Sequence, residues 1–413
     1  MPRKVRVRQS GDVETFRCIG AACEDTCCGD WGVAVDRKTY EKYRDCGDPE
    51  LQPTLQRYVT IRTNGTEGDY ARIGLVNNRC PLMSEGLCSI QLKLGESYLS
   101  NTCAAYPRSV LVVDGVVERT LHLSCPEAAR LVLLDPAPFE WKELTEDLDE
   151  RYVVLLTESW KANPYPYFQE VRELFVQTIR TTSYPRWQRL AILGRLAEEF
   201  NAIQKDGAAT GEFIRRSLSA LGARTFNAGR VTVQPTIQLE TVLELIVTRI
   251  GSDFTSHRLL ECFREFMQGI EWGPDKSMEE LASRCAEAER RWYTPFMSQH
   301  EYMFDNFLLN YLSRTLFPYG HREIDDKLRI DYVENAVRRQ YLLLAAHYAT
   351  MRMLLIGMAA FHRARFGMDQ VVKLMQAYSK AFQHSTAYPE KALQILAANG
   401  IKTGHQATVL FQD

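Results

Sequence analysis

Cysteine placement constrains this chain more than any other feature. Of eleven cysteines in 413 residues, nine fall within the first 125: Cys18, Cys23, Cys27, Cys28, Cys46, Cys80, Cys88, Cys103 and Cys125. An even spread would place about three there. The opening residues 1–16 are basic at first and then lack the apolar run of a secretory signal. The expected compartment is therefore cytoplasmic, where thiols stay reduced. Thiols gathered in a reducing compartment point to metal ligation first and redox chemistry second.

The spacing is Cys18-x4-Cys23-x3-Cys27-Cys28, followed by Cys80-x7-Cys88-x14-Cys103-x21-Cys125. It fits neither the paired C-x2-C of zinc ribbons nor the C-x3-C-x2-C loop of radical-SAM enzymes. Thiolates are soft donors that suit zinc or iron–sulfur clusters, and the spacing alone leaves both open. Adjacent residues in extended backbone point to opposite sides. Cys27 and Cys28 can therefore serve different metals, or one ligates while the other packs.

A compositional seam lies between about Leu134 and Glu150, with the stiff joint Asp135-Pro136-Ala137-Pro138 inside it. We read residues 1–138 as a small, irregular α+β cysteine-cluster domain and 139–413 as an all-α domain of eight to ten helices, a mainly α protein. The acidic run Glu143 to Glu150 is expected to open the first helix of that half. In the cysteine half, Trp31–Val35 and Tyr70–Val76 read as strands, and Asp36 as the N-cap of a helix over Arg37–Asp45. Asp114-Gly115 between two β-rich runs is a two-residue hairpin signal. If Val113 faces Val116, Cys103 and Cys125 come to the open end of that hairpin.

Past residue 150 the apolar residues recur at the helical period. Helices are expected over 241–267 with a break at Gly251-Ser252, and over 304–317, 330–361 and 368–382. The most apolar stretch, Tyr341–Phe361, is interrupted by His347 and Arg352, so it reads as a buried core helix and no membrane insertion is expected. Lys and Arg number 50 against 52 Asp and Glu, and the arginine pairs are scattered among acids. No nucleic-acid stripe is present. Cys262 and Cys285 read as core thiols.

The segment Phe16-Arg17-Cys18-Ile19-Gly20-Ala21-Ala22-Cys23-Glu24-Asp25-Thr26-Cys27-Cys28-Gly29-Asp30-Trp31-Gly32 resembles the opening of the bacterial flagellin lysine N-methylases. So do Cys80-Pro81-Leu82…Gly86-Leu87-Cys88, Cys103-Ala104-Ala105-Tyr106-Pro107-Arg108 and Ser124-Cys125-Pro126-Glu127. The motif Asn306-x3-Asn310-Tyr311-Leu312…Phe317-Pro318 resembles that family's helical half. The resemblance implies methyl transfer from S-adenosylmethionine to lysines of flagellin, dependent on an iron–sulfur cluster, a [4Fe–4S] centre by expectation with zinc as the alternative. The matching ligand pool is Cys18, Cys23, Cys27, Cys28, Cys80, Cys88, Cys103 and Cys125. One cubane uses at most four of them.

A lysine ammonium must lose its proton before it can attack, at a cost of about 4.6 kcal/mol at neutral pH. Glu24, Asp25, Tyr106 and His122 lie near the cysteine motifs and are chemically able to help. No glycine-rich loop follows a strand, so the usual α/β methyltransferase pocket is not indicated. Arg108 is the candidate partner for a carboxylate of the methyl donor, and Trp31 reads as packing on the cluster loop. The alternative function is a non-enzymatic protein holding zinc structurally or carrying iron–sulfur clusters, and a weaker one is thiol redox chemistry at Cys27-Cys28.

Overall fold

The computed structural model describes residues 4–29, 32–113, 115–137, 139–147, 167–227, 229–250, 256–324, 327–330 and 334–412. Trp31, Asp114, Pro138 and the Gly251-Ser252 break lie outside them. The chain divides into two compact units. The first holds Met1–Leu131 with Phe139–Ala162 and Arg322–Arg329, and the second Val132–Pro138, Asn163–His321 and Ile330–Asp413. Short strands and helices alternate in the first, while the second is helical, so the protein is mainly α with an N-terminal α+β region.

The hairpin forms in the expected register. Strands Arg108–Val113 and Val116–Leu121 pair antiparallel from Val113 opposite Val116 to Arg108 opposite Leu121. Gly115 takes φ 75° in the turn, a conformation that side chains resist. The hairpin is half of a four-stranded sheet. Lys4–Ser10 runs parallel to Val116–Leu121, and Trp141–Asp147 lies antiparallel on its far edge.

That last strand corrects the expectation of a helix opening at Glu143, and it places 139–147 with the cysteine-bearing unit instead of the helical one. The reason is cross-strand pairing. Leu144 packs with Val5 against Val7, Val110 and Val117, while Glu146 pairs with Arg119 and Glu143 stands 3.8 Å from Arg6. Such pairs decide strand formation more than intrinsic preference does.

A second sheet, ordered Val33–Val35, Ala71–Ile73, Val59–Ile61, is antiparallel throughout. It covers a core of Val35, Tyr43, Leu55, Ile73, Leu82 and Ile90, and Cys46 is part of that core.

In the second unit the expected long amphipathic stretch is two helices, Pro235–Ile250 and His257–Gly269. The central element is the 27-residue helix Ala336–His362. It is long and apolar enough to cross a membrane, yet its apolar window is wholly buried within the protein. Helix His257–Gly269 crosses it at Gly269 and Gly357, where a Cβ on Gly269 would stand 1.8 Å from the Gly357 carbonyl oxygen. Cys262 and Cys285 are buried core thiols, as expected.

Asn306 is also consumed structurally. Its side-chain amide donates to the carbonyls of Val132 at 2.9 Å and Asp135 at 2.7 Å. This fastens the Val132–Pro138 stretch to helix Tyr302–Arg314.

Candidate metal centre

The cysteine loops are held in place by tight turns and backbone ties. Asn77 and Asn78 both adopt positive φ, which their short polar side chains tolerate better than others. They close a turn bridging Val76 to Arg79, and Arg79 also bridges Gly29. The result sets Cys80 beside Cys28, whose carbonyl accepts the Cys80 amide at 2.7 Å. Glu85 and Gly86, with φ of 50° and 79°, make the turn of a second hairpin in which Met83 faces Cys88. Positive φ at both central residues is the geometry that matches strand twist. The Gly20–Ala22 loop packs on this hairpin: a Cβ on Gly20 would lie 3.3 Å from Leu87. Cys18, Cys23, Cys27, Cys28, Cys80 and Cys88 are thus carried on three mutually braced loops.

Cys103 comes from a different direction, on the short helix Asn101–Ala105. The Ser100 hydroxyl accepts the Cys103 amide at 3.3 Å. The deeper anchor is Asp36. One of its carboxylate oxygens accepts Thr39 N at 3.0 Å, capping helix Arg37–Arg44 as expected, and the other accepts Asn101 N at 3.0 Å. One buried carboxylate therefore serves two helix N-termini. Asp36→Ala should cost about 2 kcal/mol, two caps of about 1 kcal/mol each, and Asp36→Asn about half, since its amide keeps one oxygen. Urea unfolding of the two variants checks this.

Cys125 follows the hairpin's other strand. His122 N donates to Pro107 O at 2.7 Å, extending the register, and the Tyr106 and Ser124 hydroxyls share a hydrogen bond of 3.0 Å. Cys125 then precedes helix Pro126–Leu134, with the amides of Glu127 and Ala128 donating to its sulfur.

None of the eleven cysteines is in a disulfide. Burial pushes the Cys103 thiol up to about 12, and the charges of Cys88, Cys80 and Cys27 add to the rise. Cys80 is raised by burial and by Cys88 and Cys27. Cys125 is pushed to about 12 by burial, with Cys23 and Cys27 adding, and Cys23 is raised by burial and by Glu24, Asp25 and Cys18. Two thiol groups emerge, Cys27 with Cys80, Cys88 and Cys103, and Cys18 with Cys23 and Cys125, with Cys27 acting on both. Cys103 and Cys125 reach the same end of the hairpin but answer mainly to different thiols.

Tyr43, missed in the sequence, is raised by burial and then by Cys103, Cys88 and Cys80. Its ring therefore backs the first group. Cys28, Cys88 and Cys103 all pack against the hydrophobic core, of which Cys80 is a member. Among the described residues, no three His, Cys, Asp or Glu side chains stand close enough together to hold a metal ion.

The remaining candidates separate clearly. Glu24 is committed to Arg130, at 2.5 Å. Tyr106 stacks on His122 with ring centroids 6.4 Å apart, and Asp25 accepts the Cys23 thiol through its backbone carbonyl at 2.8 Å. Arg108 lies over the Phe16 ring, 5.3 Å from its centroid.

The model of the FliB lysine N-methylase C-terminal domain matches residues 172–410, more than half of the chain. The chain belongs to the FliB lysine N-methylase family. It is similar to the Lysine-N-methylase of Salmonella typhimurium, 23% identical over 402 residues that cover 93% of each chain. The Lysine-N-methylase of Salmonella choleraesuis is 23% identical over 406 residues, again 93% of each. The Flagellar biosynthetic protein FliU of Salmonella muenchen is 30% identical over 136 residues, 32% of this chain and 80% of that one. No solved structure matches. As a family member the chain is a protein-lysine methyltransferase. The domain match lies in the helical half, and relatives aligned over 93% of the chain carry the likeness into the cysteine half as well.

Proposed function

We propose that this chain transfers methyl groups from S-adenosylmethionine to lysine side chains of flagellin in the cytoplasm, at a centre built on a cysteine-held iron–sulfur cluster, with zinc as the alternative occupant. The carrying observation is the near full-length relationship to two proteins named Lysine-N-methylase. The flagellar name of a third relative supports flagellin as the substrate.

The donor chemistry fits a soft metal. Cys27 and Cys88 add to the rise that burial gives Cys80 and Cys103, and a soft cation would stabilise the thiolate forms that burial disfavours. These four are our assignment for the cluster. Cys18, Cys23 and Cys125 are left as a second set, and Cys28 as a packing residue. Among the described residues no three of these thiols stand at ligating distance, so holding a cluster would require side chains to move inward, and Cys18 and Cys27 are exposed.

A cluster held by three of these four thiols would leave one iron open and would supply Lewis acidity toward the amino and carboxylate groups of the donor. The chain's own residues then have to take the proton from the lysine ammonium. Glu24 is paired with Arg130, and His122, stacked on Tyr106, is the candidate proton acceptor. Arg108, 5.3 Å from the Phe16 ring centroid, is the candidate for orienting the donor's carboxylate.

Iron, zinc and acid-labile sulfide in protein purified without oxygen test the centre. About four irons and four sulfides per chain are expected. Zinc without sulfide would replace the cluster by zinc, and the absence of both would overturn the metal centre.

A further inference from the structure

The Cys18–Cys28 loop is tied to its surroundings by two different kinds of bond. Toward the Cys80 loop the ties are backbone ones. The Cys28 carbonyl accepts the Cys80 amide at 2.7 Å, and Gly29 bridges Arg79. Toward the Cys125 helix the loop is tied through side chains. Arg130, on helix Pro126–Leu134, donates Nη1 to Glu24 Oε1 at 2.5 Å and Nη2 to Glu24 Oε2 at 3.4 Å. Its Nε donates to Glu127 Oε2 at 2.9 Å, from a residue one turn back on the same helix face. One guanidinium thus joins a carboxylate of its own helix to another 106 residues away in the chain.

Both ends of this contact stand next to thiols. Glu24 directly follows Cys23, in a tight turn where the Cys23 amide donates to Gly20 O at 3.1 Å and the Cys23 thiol to Asp25 O at 2.8 Å. Holding Glu24 therefore holds Cys23. On the other side, the Cys125 carbonyl accepts the Ala129 amide at 2.9 Å where the helix opens. Arg130 lies about a turn and a half beyond it. Stability does not account for the arrangement. Glu24 and Arg130 keep 37% and 32% of their side-chain surface exposed, and ion pairs in such settings add little to folding. A forked guanidinium–carboxylate contact supplies fixed geometry instead.

We propose that Arg130 is a positioning residue for methyl transfer: through Glu24 it holds the Cys18–Cys28 loop, and Cys23 with it, to the helix that starts after Cys125. This role rests on the cysteine centre proposed above as the place of reaction.

The test compares full-length wild type, purified without oxygen, with Arg130→Gln and Arg130→Lys. Alkylation of Cys23 by iodoacetamide is followed by peptide mass spectrometry, with the buried Cys46 as internal reference. A released loop opens more often, so Cys23 should react about ten-fold faster in Arg130→Gln. Charge works the other way, because removing a nearby cation makes a thiol less reactive. The sign of the change therefore separates a latch from a purely electrostatic role. Arg130→Lys keeps the charge but loses the fork, and should fall between the two. Melting temperatures should agree within about 2 °C. In metal-loaded protein, Arg130→Gln should lower the turnover of flagellin methylation about ten-fold with KM unchanged, as misplaced reacting groups do.

Cys23 reacting no faster in Arg130→Gln than in wild type overturns the latch, and so does an equal rise at Cys46. Wild-type turnover in a variant whose Cys23 reacts faster overturns the positioning role. If metal-loaded wild type leaves flagellin unmethylated, the reaction proposed above fails instead, and the alkylation contrast still decides the latch.

Discussion

Cys103→Ala abolishes lysine methylation, lowering turnover by at least about a hundred-fold, while the protein stays folded. Cys103 is pushed to about 12 by burial and by three neighbouring thiols, which is why it stands in the set proposed to hold the cluster. Its helix is fastened from outside the centre by Ser100 and Asp36. Removing one sulfur therefore leaves the scaffold standing and takes away a ligand. Cys46 is the internal control. It lies in the hydrophobic core and appears among the influences on none of the raised thiols. Cys46→Ala should keep metal and activity and cost about 1 kcal/mol in stability. Metal content and turnover of the two variants, measured side by side, check the contrast. Equal metal loss in both, or in neither, would contradict the assignment.

Gly269→Ala destabilises the helical unit by about 3 kcal/mol or more. The added Cβ would lie 1.8 Å from the Gly357 carbonyl oxygen, and a Cβ on Gly357 would meet the Phe266 ring at 2.4 Å. Both contacts involve helix backbone or a fully buried ring, so neither can yield without moving the central helix. Overpacking of this kind commonly costs about 1–3 kcal/mol, and a clash with backbone falls at the upper end. A fall in melting temperature of about 10 °C is expected. Gly222→Ala is the comparison, because its Cβ would meet nothing within 4 Å. Near a helix end that change should be neutral or slightly stabilising. Thermal melts of the two variants separate backbone contact from a general penalty on glycine replacement.

What the sequence made legible was local. Gly115 in its turn and Asp36 at its helix each depend on residues a few positions apart. The strand Trp141–Asp147 was misread because its stabilising partners, Lys4–Ser10, lie more than 130 residues away in the chain. Its acidic side chains look helical until Arg119 and Arg6 are placed across from them. The turns at Asn77-Asn78 and Glu85-Gly86 went unread although both carry dipeptides able to hold positive φ. Read as turns, they would have joined the Cys28, Cys80 and Cys88 loops. The second oxygen of Asp36, the Tyr43 ring and the Glu24–Arg130 pair could not be read at all. Each gains its meaning from a residue brought near only by the fold.

The cysteine motifs pointed to the family that the chain belongs to, but spacing could not sort eight thiols. Charge coupling in the folded state divides them, with Cys27 between the groups.

The most direct measurement is mass spectrometry of flagellin lysines after incubation with the metal-loaded protein and isotopically labelled S-adenosylmethionine. The account predicts labelled methyl groups on lysine ε-nitrogens with wild type and none with Cys103→Ala. Labelled lysines at equal level with both would contradict the cysteine centre. Metal-loaded wild type that leaves every flagellin lysine unlabelled would contradict the proposed reaction itself.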